Sequence, residues 1–99
     1  MIIVMGSYQV PPDQRDRFMR SKLDQTERTR TETGCLEYAF SADATDPGLV
    51  RLVELWESKA DLEAHIAGVR SAPSEPPEVA VVSSTFAVFE GAPTPTPGG

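Results

Sequence analysis

His65 is the only histidine in the chain, and Glu54 stands two residues before the only tryptophan, Trp56, in an otherwise apolar run. These residues have the chemistry to move a proton. An imidazole accepts and returns one near neutral pH, and a carboxylate among apolar neighbours must pair, face water or take a raised pKa. Trp56 offers a flat face for stacking and an indole N–H donor, and Tyr38 offers a phenol. Each has a plain structural alternative. His65 follows Leu62 by three residues and borders Ile66, which suits a histidine at the edge of a buried helix stripe. Trp56 suits a core corner, Tyr38 a half-buried strand position, and Glu54 an ion pair with Arg17, Arg20 or Arg28. Cys35 lacks flanking bases and reads as a small filler rather than a reactive thiolate. Arg51 and Arg70 suit solvated surface charges or attraction of an anionic ligand. No glycine-rich phosphate loop and no metal-spaced His/Cys/Asp cluster accompanies them, so no metal is expected.

These residues sit in GCLEYAFSADATDPGLVRLVELWESKADLEAHIAG, Gly34 to Gly68, which reads as strand, turn, strand, helix. Leu36, Tyr38 and Phe40 alternate along the first strand, while Val50, Leu52, Glu54 and Trp56 share one parity of the second. Asp46-Pro47-Gly48 supplies the turn between them. Ser58, three residues before Asp61, is a helix-capping signal for a helix through Ala60, Leu62 and Ile66.

Upstream, Met1 to Val10 reads as a buried strand ended by Pro11-Pro12. Asp13 to Thr33 reads as one helix stopped by Gly34, with an apolar stripe of Phe18, Met19 and Leu23 extended by Thr26 and Thr33. Asp13–Arg17, Asp16–Arg20 and Asp24–Arg28 have i,i+4 spacing with the acid first, each adding roughly 0.2–0.5 kcal/mol. Downstream, Pro73, Pro76 and Pro77 predict a loop or lid over 69–77 in place of a regular helix. A fourth strand is predicted over about Thr85 to Glu90, with the preceding residues extended. Residues 1–90 thus form a single domain, and the Pro/Gly-rich 91–99 a flexible tail.

The order is βαββαβ: an α+β, ferredoxin-like fold with a four-stranded antiparallel sheet and its helices on one face. Both parities of the strands are apolar, as Leu49, Val53 and Leu55 against Val50, Leu52 and Trp56 show. The uncovered face would leave an apolar patch of at least several hundred Å² in water. A homodimer packed sheet against sheet hides it.

Composition narrows the partners. A chain of 99 residues with 39% hydrophobic and 24% charged residues is a globular domain, not a disordered one. The net charge of −6 argues against nucleic acid and against anionic membrane surfaces. No apolar run approaches the roughly 18 residues of a membrane span. The amino end has no basic leader, and one cysteine allows no internal disulfide, so a cytoplasmic setting is expected.

Gly34-Cys35-Leu36, Tyr38, Leu55-Trp56-Glu57-Ser58 and Ala64-His65 together resemble the antibiotic biosynthesis monooxygenases, a family of dimeric α+β barrels with quinol monooxygenase-like and haem-degrading members. The resemblance covers Met1 to Gly68 well and the remainder loosely. It implies a pocket between helices and sheet in which an aromatic polyketide or quinol reacts with O₂ without metal, flavin or haem. A deprotonated electron-rich phenol can itself pass an electron to O₂, so the protein needs an apolar pocket, a proton acceptor and donors for developing charge. On this resemblance His65 and Glu54 are the candidate catalytic residues, and Trp56, Tyr38, Leu52 and Phe40 the candidate substrate-binding ones. The chain also departs from the family. Gly68-Val69-Arg70-Ser71-Ala72-Pro73 replaces the second His followed by Phe of many members, and Ser7 stands near the asparagine of the haem-degrading ones. Haem ligation is therefore unsupported. The alternative function is a non-catalytic dimer that binds a small ligand or supports a neighbouring enzyme.

Overall fold

The computed structural model describes residues 1–72 and 77–98. Its strands are β1 Ile2–Gln9, β2 Cys35–Ala42, β3 Leu49–Trp56 and β4 Ser83–Glu90; its helices are α1 Arg15–Ser21, α2 Leu23–Thr29 and α3 Lys59–Ser71. A 3₁₀ turn over Pro12–Gln14 leads into α1, with Pro12 in the first helical position where its missing N–H costs nothing. The four strands form one antiparallel sheet in the order β2-β3-β1-β4, the ferredoxin-like arrangement predicted from the βαββαβ order.

The expected single helix over Asp13–Thr33 is two short ones. Lys22 leaves helical geometry at φ −98° and ψ −1°, and its N–H bonds back only three residues, to Met19 O at 3.1 Å. Side-chain hydroxyls compete for the same carbonyls: Ser21 Oγ donates to Phe18 O at 2.6 Å and Thr26 Oγ1 to Lys22 O at 2.7 Å. Such back-bonding bends helices. Beyond the kink Leu23 is exposed and Thr29 is buried, so Leu23 does not belong to the buried stripe. The predicted i,i+4 ion pairs do not form among the described residues; Arg17 instead reaches Glu78 at 3.1 Å.

Two further expectations are corrected by local geometry. A register shift between Cys35 and Glu37 lifts Leu36 out to solvent and packs Cys35 against the core, breaking the Leu36–Tyr38–Phe40 alternation. The last helix also runs three residues into the expected loop, through Val69, Arg70 and Ser71. It stops at Ala72, which is extended at φ −67° and ψ 147°, as a residue preceding proline prefers. Residues 73–76, the centre of the expected lid, lie outside the described residues. β4 begins two residues before the predicted Thr85, and residues 91–98 form no helix or strand beyond a Gly91 N–H bond to Met1 O at 3.0 Å.

The turns and caps read from sequence hold the frame. Ser58 Oγ accepts from the Asp61 N–H at 3.1 Å and bonds its carboxylate at 2.8 Å, fixing the start of α3. Asp46 Oδ1 accepts from the Gly48 N–H at 3.0 Å in the β2–β3 turn. Gly34 joins α2 to β2 at φ +80°, and its carbonyl accepts from Glu57 N–H at 2.9 Å. A Cβ there would overlap the Asp61 carboxylate. Gly34→Ala is thus expected to destabilise the fold by about 1–2 kcal/mol from the left-handed backbone alone. Displacement of the α3 cap adds to that, and urea unfolding at fixed protein concentration measures the sum.

The core lies between helices and sheet in two clusters, one of Ile2, Val4, Trp56 and Leu62, the other of Val10, Phe18, Val50 and Val79. α1 and α2 lie over β2, and α3 over β3. Among the described residues no helix packs extensively on β4, and its Phe86 and Val88 are exposed on the helix side. On the opposite face, cross-strand pairing sets Phe89, Ile3 and Leu55 in one row and Ala87, Met5, Val53 and Ala39 in the next. Met5, Val53 and Phe89 of these rows are exposed.

Candidate active site

Glu54 and Trp56 lie two apart on β3 and so share its helix-side face. Glu54 is 6% exposed, and its Oε1 accepts a hydrogen bond from Trp56 Nε1 at 3.0 Å. Its partner is therefore this indole and not an α1 or α2 arginine. Burial raises the Glu54 pKa above its ordinary 4.5, and Glu32 adds to the rise, against the lowering by the Trp56 bond and by His65.

α3 places His65 over this pair. The ring lies against Trp56 with centroids 4.9 Å apart and meets Tyr38 edge-on at 5.7 Å. Nδ1 is 2.6 Å from Glu32 Oε2, and Nε2 faces Glu54 Oε1 at 3.9 Å. The two carboxylates bracket the imidazole from opposite sides and do not converge on one point. Among the described residues no group of three His, Cys, Asp or Glu is arranged to hold a metal ion.

Tyr38 closes the floor from β2. Its oxygen accepts from Gln25 Nε2 at 2.6 Å, which leaves the phenolic proton free to donate. Burial pushes its pKa up to about 12, so it stays a donor through the neutral range. Tyr8 on β1 is raised in the same way, by burial and by Glu54.

Above this floor a cleft of about 450 Å³ opens between α3 and the sheet. Val4, Tyr8, Tyr38, Leu52 and Glu54 form its base, while Ile66, Val69 and Arg70 of α3 face Phe86 and Val88 of β4 across the mouth. Cavities of this size with few polar groups suit small aromatic ligands. The Phe86 ring lies across Gly6, where a Cβ would approach it to 2.7 Å, so glycine on β1 is what lets this wall lie flat. A smaller hollow of about 250 Å³ beside Arg30 and Cys35 holds no comparable convergence of acid, base and donor. Burial, followed by Glu32, Glu54 and Glu37, raises the Cys35 thiol, as expected of a filler.

Of the residues singled out in the sequence, His65, Glu54, Tyr38 and Leu52 meet at the cleft. Trp56 and Phe40 do not line it. Trp56 is fully buried behind Glu54, because the β3–α3 corner closes over it. Phe40 is drawn into the second core cluster, edge-on to Phe18 and Tyr38. Arg51 points to the opposite side and pairs with Asp43, so it is not a cleft residue. Tyr8, Gln25, Glu32 and Phe86 were not singled out. Their signals were the parity of Tyr8 with Val4 and of Phe86 with Val88; nothing local marks Gln25 or Glu32.

Comparison with known proteins bears on the family and the fold. Residues 1–68 match the family profile of the antibiotic biosynthesis monooxygenases. An uncharacterised Synechocystis protein is 33% identical over 64 residues, which cover 65% of this chain and 44% of that relative. Among solved structures, a Deinococcus radiodurans protein assigned provisionally to the same family superposes with a TM-score of 0.79 at 19% identity, over 100% of both chains. The haem degrader MhuD of Mycobacterium tuberculosis, with two haems in its active site, superposes with a TM-score of 0.71 at 14% identity over 97% of this chain and 100% of its own. No helix among the described residues is long and apolar enough to cross a membrane. With the family match spanning more than half of its length, the chain belongs to the antibiotic biosynthesis monooxygenase family.

Proposed function

We propose that this protein is a cofactor-independent monooxygenase that oxidises an aromatic polyketide- or quinol-like molecule with O₂ in the cleft between α3 and the sheet. The observation that carries the reading is the buried Glu54 carboxylate, poised at the cleft floor beside His65 and the Tyr38 phenol. The apolar walls exclude water and stack an aromatic ring. Glu54, with His65 behind it, takes the proton of a phenol or an enolisable anthrone. The resulting anion gives one electron to O₂, and radical and superoxide combine to form a carbon–oxygen bond. A proton returned from solvent converts the peroxide anion into a hydroperoxide, which loses water to leave a carbonyl, so one oxygen atom enters the product and the other leaves as water. Tyr38 donates to the negative charge, and Trp56 holds Glu54 in place from behind. Aerobic incubation with a panel of hydroquinones and anthrones in an oxygen electrode tests this: uptake above buffer is expected for at least one, and none for any of them counts against oxidation.

The haem-degrading activity of MhuD does not suit these residues. His65 is 8% exposed and both ring nitrogens face carboxylates. Ser7 lies on the outer face of the sheet, bonded to Thr85 at 2.6 Å, away from the cleft.

The working unit in this reading is a homodimer in the cytoplasm. The rows around Met5, Val53 and Phe89 present apolar side chains to water on a face that no helix among the described residues covers, and a second copy covers them by two-fold contact. Sedimentation at micromolar concentration is expected to give a dimer for the wild type. Met5→Asp, which buries an unpaired charge at that contact, is expected to give a monomer. A monomeric wild type would contradict the interface.

A further inference from the structure

We propose that Glu32 is the outer end of a proton path, Glu54 to His65 to Glu32, which carries the proton taken from the substrate out through the far side of α3. The inference rests on the oxygenase reading for its source of protons and on the geometry for its route. His65 lines two separate hollows: the main cleft with Glu54 at its base, and a second of about 360 Å³ bordered by Glu32, Thr33, Asp61 and Ala64. The side chains of His65 and Glu54 are 7% and 8% exposed, whereas that of Glu32 is 39% exposed. A carboxylate only accepts hydrogen bonds, so the 2.6 Å contact with Glu32 Oε2 puts the imidazole proton on Nδ1. The Nε2 lone pair is then aimed at Glu54.

The steps balance as proton transfers. The substrate O–H or C–H breaks as a Glu54 O–H forms. That proton passes to Nε2, Nδ1–H is released to Glu32, and Glu32 gives it to solvent. The 3.9 Å between Nε2 and Glu54 Oε1 exceeds a hydrogen bond, so the first hand-over needs the carboxyl to swing toward the ring or one bridging water. Glu32 is held for the task, its N–H bonded to Thr29 O at 3.0 Å and its carbonyl accepting from Cys35 N–H at 3.2 Å. The other titratable groups around the path do not short-circuit it. Tyr8 and Tyr38 hold their protons into the alkaline range, Cys35 is raised, Asp61 is tied to Ser58, and Arg70 lies at the cleft mouth.

Glu32 acts through His65, and so its loss should slow turnover without weakening substrate binding. Glu32→Gln, on the surface and compatible with folding, is expected to lower kcat about tenfold and leave KM within about twofold. Added acetate or imidazole, small enough to reach the outer hollow, should restore most of the loss and leave the wild type unaffected. Wild-type turnover in Glu32→Gln, or a fall that added buffer does not repair, would overturn the path. A second measurement needs no turnover. Because the chain has one histidine, long-range ¹⁵N–¹H correlation reports its ring alone. The neutral ring should carry its proton on Nδ1 in the wild type and lose that preference in Glu32→Ala; an unchanged tautomer overturns the proposal. Absence of O₂ uptake by the wild type would sink the oxygenase reading by itself, and the path would then stand or fall on the tautomer.

Discussion

Trp56→Ala is expected to lower stability by roughly 3–5 kcal/mol, the usual cost of emptying a buried tryptophan site. Trp56 has no exposed surface, fills the corner where β3 enters α3, and packs with Ile2, Val4 and Leu62. Small domains have about 5–15 kcal/mol in hand, so the variant should stand near the edge of unfolding. Trp56→Phe separates packing from bonding. It keeps most of the ring volume and removes the N–H that Glu54 accepts. Leaving a buried acceptor without its donor costs about 1–3 kcal/mol. Urea midpoints at one fixed protein concentration should therefore order wild type, Phe and Ala in steps of that size. Equal midpoints for wild type and Phe would show that the indole bond contributes nothing.

Glu54→Gln is expected to reduce turnover by about 10²–10⁴-fold, the range supplied by a positioned general base. KM should change little, because the amide has the carboxylate's shape and can still accept from Trp56. Stability should move differently from activity. The folded-state pKa of Glu54 is raised above 4.5 by burial, so in the window above that value the unfolded chain releases the proton first. The contribution of Glu54 to stability is thus fully present below pH 4.5 and is progressively lost as pH rises through the folded pKa. The glutamine variant lacks this slope and should match or exceed wild-type stability at neutral pH. An inactive variant that is also less stable at pH 7 would point to damage in place of lost chemistry.

The parts of the fold legible in the sequence are those governed by neighbouring residues. Ser58 with Asp61 and the Asp46-Pro47-Gly48 turn signal their geometry within four residues, and the structure follows them. The kink at Lys22 depended on which hydroxyls turn back onto carbonyls, which residue type alone does not decide. The bulge at Leu36 likewise reverses a parity that reads as regular alternation.

The candidate site divides along the same line. Glu54 was conspicuous because a carboxylate on an apolar parity needs a partner, yet an arginine was the expected one. The indole that serves was on the same strand two residues on, where period-two geometry puts it on the same face. His65 was conspicuous as the single histidine, but its contact with Glu32 spans 33 positions and depends on how the Gly34 turn folds back. By residue type Trp56 suits a pocket wall or a core corner and Phe40 suits a pocket wall, because aromatic residues serve ligands and cores alike. Only packing assigns them to the core.

Incubation of the chelator-treated wild type with an anthrone under ¹⁸O₂, followed by mass spectrometry, tests the oxidation most directly. One ¹⁸O atom in the quinone product, formed faster than in buffer and about 10²–10⁴-fold more slowly in Glu54→Gln, is the expected result. Product formation no faster than in buffer, or equally fast in Glu54→Gln, would contradict a Glu54-dependent oxygenase.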